Sequence, residues 1–169
     1  MTERNVAICL KYVIRKLGTV TYFDVDRSGG RGILADMPRT ARIVVPEVSY
    51  HITQRGNNKQ DVFFVDDDQR VYLEILKEQS EKYGLQVEGW CLMTNHIHLV
   101  ALPHGEDSLA KAVGRTHWLY TQYVNRLHGR SGHLWQNRFY SCMLSPMHFL
   151  SAMRYIESNP VRAKICRYN

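Results

Sequence analysis

The chain has 169 residues, a formal net charge of +6, and 44% hydrophobic against 22% charged residues, enough for one domain with a sizeable core and too little for two. Its basic balance favours a polyanionic partner. Cys9, Cys91, Cys142 and Cys166 are scattered with no Cys-x-x-Cys pair, which argues against a zinc ribbon or a disulfide framework and fits a reducing cytoplasm; no apolar run approaches the roughly 18 residues of a membrane span.

Residues 1–36 differ in character from the rest of the chain. Ser28-Gly-Gly-Arg-Gly32 is a flexible break after a short mixed pattern around Val6 to Tyr22. We expect residues 1–36 to be an N-terminal extension outside the fold, with an accessory helix as the alternative, and residues 37–169 to be the working domain. Val48, Tyr50 and Ile52 then alternate with Ser49, His51 and Thr53, a half-buried strand running into the polar turn Gly56-Asn-Asn58. Asp66-Asp-Asp68 supplies acid to the start of a helix that carries Tyr72, Ile75, Leu76 and Tyr83 and is closed by Gly84. Gln86 to Met93 and His96 to Leu102 read as two strands joined by the tight Thr94-Asn95 turn.

Ser108 opens a second helix through about His128, with Leu109, Val113, Thr116, Tyr120, Tyr123 and Leu127 at helical spacing. Gly129 and Gly132 break it before a strand near Arg138 to Met143. Ser145 as N-cap and Pro146 in the first turn start a last helix, which Pro160 is expected to end. On that helix Phe149, Leu150, Met153 and Ile156 form a core stripe, flanked by His148, Ala152, Tyr155 and Asn159. The order β-α-β-β-α-β-α predicts an α+β fold: a ferredoxin-like antiparallel sheet (β-α-β-β-α-β) with an appended C-terminal helix.

Two constellations in this order carry chemistry. His96-Ile97-His98 puts two imidazoles on one face of a strand while Ile97, Leu99 and Ala101 point the other way. Such a pair is either half of a metal site or two hydrogen-bonded strand histidines. Tyr155 and Asn159 stand one above the other on the last helix, where the tyrosine either reaches a cleft or packs, and the asparagine either serves it or caps the helix. His51, His104, His117, His128 and His133 have no partner at ligand spacing and read as ordinary residues.

Four segments in order resemble the single-tyrosine transposases of the HUH class, and among them the REP-associated tyrosine transposases with their insertion-sequence-200-like domain. They are Tyr50-His-Ile-Thr-Gln-Arg-Gly56, Cys91-Leu-Met-Thr-Asn-His-Ile-His-Leu-Val100, Gly132-His-Leu-Trp-Gln-Asn-Arg-Phe139 and Tyr155-Ile-Glu-Ser-Asn-Pro160. Carried over residue by residue, the resemblance implies the same fold, His96 and His98 as ligands of a divalent metal (Mg²⁺ or Mn²⁺), Asn159 as the third protein ligand, and Tyr155 as the nucleophile on the C-terminal helix. It also implies cleavage and strand transfer of single-stranded DNA at hairpins through a 5′-phosphotyrosine bond. The chain ends ten residues after Asn159, where members of that family run on, so a C-terminally truncated copy is also expected.

A single-strand binder combines a basic groove with aromatic stacking. Arg55, Asn57 and Asn58 in the turn after the first strand, Arg126 and Arg130 at the end of the second helix, and Trp135 with Arg138 beyond it are the candidates for a DNA face. A homodimer with shared sites stays open, and a cytoplasmic, nucleoid-associated location is expected. The main rival reading is an inactive hairpin-binding protein. A water-activating metal nuclease is disfavoured because no carboxylate cluster accompanies the histidines.

Overall fold

The computed structural model describes residues 42–162; the expected extension over residues 1–36 lies outside them. The elements follow the predicted order: β1 (Tyr50–Arg55), α1 (Asp66–Tyr83), β2 (Leu85–Met93), β3 (His96–Pro103), α2 (Ser108–Leu127), β4 (Tyr140–Met143) and α3 (Pro146–Arg162), with a 3-10 turn at Asn57–Lys59 after β1. All strand pairs are antiparallel, in the order β2-β3-β1-β4, the arrangement of a ferredoxin-like sheet. No described helix is long and apolar enough to cross a membrane.

Alternation decides what each sheet face meets. Ile97, Leu99 and Ala101 of β3 join Tyr50 and Ile52 of β1 in the main core, against Tyr72 and Leu76 of α1 and Leu109, Val113, Tyr120 and Val124 of α2. His98 and Val100 take the opposite face, where α3 packs through Ile156 onto Val100, Cys91 and Met93 in a second, smaller apolar cluster. A fully buried aliphatic side chain such as Ile156 contributes about 1.5–3 kcal/mol.

Local signals fix the helix ends. Asp68, buried in the first turn of α1, accepts the backbone N–H groups of Phe64 (2.7 Å) and Val65 (3.0 Å), satisfying donors that a helix start leaves orphaned. Gly84 closes α1 at φ +63°, in the left-handed region that suits glycine. Ser145 caps α3 through Oγ, which accepts the N–H of His148.

Four expectations are corrected. Leu150 is 48% exposed, whereas Ala152 joins Phe149 and Met153 against the small cluster. The small side chain lets α3 approach the sheet, and Gly89 of β2 helps, since a β-carbon there would sit 2.9 Å from Met153 Cε. Leu127 is exposed, and Val124 takes the core position near the end of α2. The α3 backbone continues through Pro160 to Arg162; proline removes one intrahelical hydrogen bond, but its fixed φ is itself helical. Trp135, proposed for DNA stacking, is buried: its indole N–H donates to the His117 carbonyl (3.2 Å) and its ring lies 4.6 Å from the His117 ring. A buried indole offers no face to a base.

His117 itself gives the fold an acid limit. It is buried beside Tyr72, whose hydroxyl lies 3.1 Å from Nε2, and burial pushes its pKa down to about 3. The folded protein therefore keeps this ring neutral where the unfolded chain protonates it, so its contribution is complete above about pH 6.5 and is lost as pH falls toward 3. Through that window it removes about 1.4 kcal/mol of stability per pH unit. Urea unfolding between pH 7.5 and 4.5 should show this slope, and His117→Gln should reduce proton uptake on unfolding by about one proton. An unchanged pH dependence in the variant would exclude His117 as the source.

Candidate functional site

The face of the sheet that carries α3 also carries the titratable residues. Cross-strand neighbours share a face, and the register sets Arg55 opposite His96 and Thr53 opposite His98. His51, on the same face of β1, reaches diagonally to His98: its Nε2 lies 3.1 Å from His98 Nδ1 and the rings stack at 5.3 Å. His96 and His98 meet edge to face at 5.1 Å. Tyr155 of α3 stands over this row, its ring 5.2 Å from His98 and 6.3 Å from His51. Residues distant in sequence thus converge because β1, β3 and α3 meet on one side of the sheet.

The electrostatics favour neutral imidazoles. His98 is pushed down to about 4, by burial first and then by His96, His51 and Arg55. Burial and the Arg55 charge lower His96, and burial lowers His51. Each central ring also has one nitrogen already engaged: His96 Nδ1 lies 2.7 Å from Asn95 Oδ1, and His98 Nδ1 faces His51. That leaves Nε2 of both rings available, with the second nitrogen fixing tautomer and orientation as in histidines that bind metals.

Asn159 lies one helical turn beyond Tyr155 and is partly buried, with a buried Nδ2 that meets no acceptor among the described residues. Among the described residues no cluster of three or more His, Cys, Asp or Glu is placed to hold a metal ion. The donors that remain are two neutral imidazoles and one carboxamide, a set that fits an open divalent site with coordination positions left for substrate oxygens. The orphaned Nδ2 suits an anionic oxygen beside it.

The remaining sequence candidates divide by location. Arg55 is exposed at the end of β1, and the following turn holds Asn57, whose N–H donates to the Leu134 carbonyl at 2.8 Å. Asn58 adopts φ +51°, which asparagine tolerates, so its identity has a backbone reason of its own. Arg130 reaches the same region and donates to Gln60 Oε1 at 2.6 Å. Arg55, Asn57, Asn58 and Arg130 therefore gather toward the end of the sheet where the Asn95 turn leads into β3 at His96, and exposed Lys59 joins them. Arg126 is exposed in the last turn of α2. Arg138 stands apart, exposed just before β4 and near Arg42. His148 pairs with the Ser145 hydroxyl at 2.8 Å.

The residue that sequence reasoning missed is His51. Its parity with Ser49 and Thr53 marked its face, but its distance to His98 depends on which strand neighbours β1.

Comparison with known proteins adds a family. The model described as "Transposase IS200 like" matches residues 44–159. Among solved structures the chain is similar to a REP-associated tyrosine transposase bound to a REP hairpin, at 16% identity and a TM-score of 0.63, covering 77% of this chain and 76% of that one. It is also similar to a Deinococcus radiodurans R1 protein described as a candidate transposase, at 20% identity and a TM-score of 0.49, covering 72% of this chain and 97% of the other. No curated protein matches the chain.

Proposed function

Because the chain belongs to the IS200-like transposase family, we propose that it cleaves and rejoins single-stranded DNA at hairpins, with Tyr155 as the nucleophile. One observation carries this reading: Tyr155, on the C-terminal helix, stands edge to face over His98, a member of the paired histidines on the sheet. Such a meeting of phenol and imidazoles serves phosphoryl transfer better than it serves packing, because the ring is 39% exposed and open to a substrate.

In the proposed reaction Tyr155 Oη attacks a backbone phosphorus, the bond from phosphorus to O3′ breaks, Oη gives up its proton, and the leaving O3′ gains one to become a hydroxyl. The products are a 5′-phosphotyrosine and a free 3′-hydroxyl. The covalent bond keeps the phosphodiester energy, so a second 3′-hydroxyl reverses the step and joins strands without a nucleotide cofactor. His96 and His98, through their free Nε2 atoms, and Asn159, through its amide oxygen, would hold a divalent cation, Mg²⁺ or Mn²⁺. When bound, that cation supplies charge neutralisation and alignment of the scissile phosphate. His51 orients His98. The amide Nδ2 of Asn159 lacks an acceptor among the described residues and would donate to a phosphate oxygen. Arg55, Asn57, Asn58 and Arg130 would approach the DNA backbone at the end of the sheet beside His96, with Arg126 in the last turn of α2 and Arg130 in the loop that follows it.

The partner proposed here is hairpin DNA, met in the cytoplasm at the nucleoid. The solved transposase with a comparable fold was bound to a REP hairpin, which supports the choice. Incubation with end-labelled single-stranded hairpin DNA and Mn²⁺ or Mg²⁺, followed by a denaturing gel, tests the reading: a metal-dependent, protein-linked band is expected. Retarded DNA in a native gel without that band would favour an inactive hairpin binder instead.

The working domain is further proposed to start at Met37. A chain beginning there should melt within a few degrees of the full chain and bind hairpins equally well, because the glycine-rich sequence from Ser28 to Gly32 would uncouple whatever precedes it. A much lower melting temperature or lost binding would make residues 1–36 a working part of the domain.

A further inference from the structure

Tyr155 and the histidines account for one face of the sheet, but a basic trough with exposed aromatic side chains runs around the β4 edge and serves none of the chemistry above. It consists of two hollows, about 690 Å³ and about 900 Å³, that share Arg42, Asn137, Arg138 and Phe139 in their walls. At one end stands Trp118 of α2, 49% exposed, with the Arg115 guanidinium 4.1 Å from the ring centre. One turn earlier on the same helix is Gly114, where a β-carbon would meet nothing within 4 Å among the described residues, so a slot lies open beside the indole. The indole therefore presents an accessible aromatic face beside a vacant position.

The middle of the trough is positively charged. Arg42 lies over the Phe139 ring at 3.8 Å and donates to the Phe139 carbonyl. Arg42 and Arg138 line both hollows; burial first, and then the Arg138 charge, make protonation of Arg42 harder, and among the described residues neither guanidinium is paired with a carboxylate. Like charges held together without a counter-ion suit a bound anion. At the far end Tyr140 of the edge strand β4 is 64% exposed. It sits directly opposite Thr53, which sits directly opposite His98. Cross-strand neighbours share a face, so the trough opens onto the row that Tyr155 overlooks. Near Trp118 the wall includes Glu106 and Asp107; Asp107 is paired with Lys111. The Glu106 carboxylate repels a phosphate, so a strand would end or turn there.

We propose that this trough holds a single-stranded DNA flank of the hairpin, with a base stacked on Trp118 and a backbone phosphate between Arg42 and Arg138, leading the strand past Tyr140 to the catalytic face. Rings for bases and guanidiniums for phosphates are the combination that single-strand binding uses. The proposal rests on the transposase reading and deepens it by assigning where the substrate strand lies.

The test compares affinity for a blunt hairpin with affinity for the same hairpin carrying a short oligothymidine flank, both in EDTA so that no cleavage intervenes. Trp118→Ala should reduce the ratio of flanked to blunt affinity about tenfold, and Trp118→Phe should keep it. Arg138→Gln should lower the salt slope of flanked-hairpin binding by about one. Trp118 is half exposed, so its variants should melt with the parent. Oligothymidine alone should show the same dependence on Trp118, which frees the test from the choice of hairpin sequence. An unchanged affinity ratio in Trp118→Ala would overturn the proposal. So would dissociation of a dimer by that substitution without any change in DNA affinity, which would make the trough a surface between copies of the chain. Failure of the transposase reading looks different: no covalent adduct with any hairpin, whatever the affinity ratio.

Discussion

Tyr155→Phe should abolish the denaturant-resistant DNA adduct, lowering cleavage by at least about a thousandfold, while fold and hairpin binding persist. The substitution removes one oxygen and keeps the ring, so the edge-to-face contact with His98 at 5.2 Å survives. The side chain is 39% exposed and makes no hydrogen bond among the described residues, so no buried partner is orphaned. Labelled hairpin resolved on a denaturing gel reads the outcome, with thermal melting and a native gel as controls. An undiminished adduct in the phenylalanine variant would remove Tyr155 from the mechanism.

His96→Ala and His98→Ala should each reduce cleavage by about a hundredfold or more, with hairpin affinity within a few fold of the parent. The affinity is expected from guanidinium and stacking contacts elsewhere, so it should not follow the loss of imidazole. His98 is the more demanding position: its ring contacts His51, His96 and Tyr155, and truncation leaves His51 without its partner. His98→Ala should therefore also lower stability, by about 1–2 kcal/mol, whereas the more exposed His96 should cost less. Cleavage assays over a Mn²⁺ series, with and without EDTA, separate the roles. Cleavage by either variant at the parental rate in EDTA would make the histidines structural.

The parity of His96 and His98, with Ile97, Leu99 and Ala101 opposed, was legible because a strand has a period of two and nothing else is needed to read it. The element order was legible for a similar reason, since capping residues and glycines punctuate the chain where the helices start and stop. What escaped were properties of neighbours. His51 looked ordinary along the chain and joins the site only when β1 lies beside β3. Trp135 offered both a stacking surface and core volume, and the carbonyl of His117 together with the ring of Tyr72 decided for the core. The helical wheel put Leu150 in the buried stripe of α3, yet which arc is buried depends on how close the sheet allows the helix to come. Gly89 and Ala152 bring it close along their own line. Arg138 and Arg130 were grouped by charge, although the fold sends one to the β4 edge and the other to the turn near Gln60.

The small apolar cluster beneath α3 has a consequence of its own. Ile156, Leu144, Val100, Cys91 and Met93 share no buried member with the main core, so the helix bearing Tyr155 is bound to the domain by a separate and lesser store of free energy. Such a segment can open as its own cooperative unit, well before the sheet and the other two helices give way. Tyr155 thus rides on an element whose anchorage is distinct from that of the strands carrying His96 and His98, so the two halves of the candidate site can part without unfolding the main core.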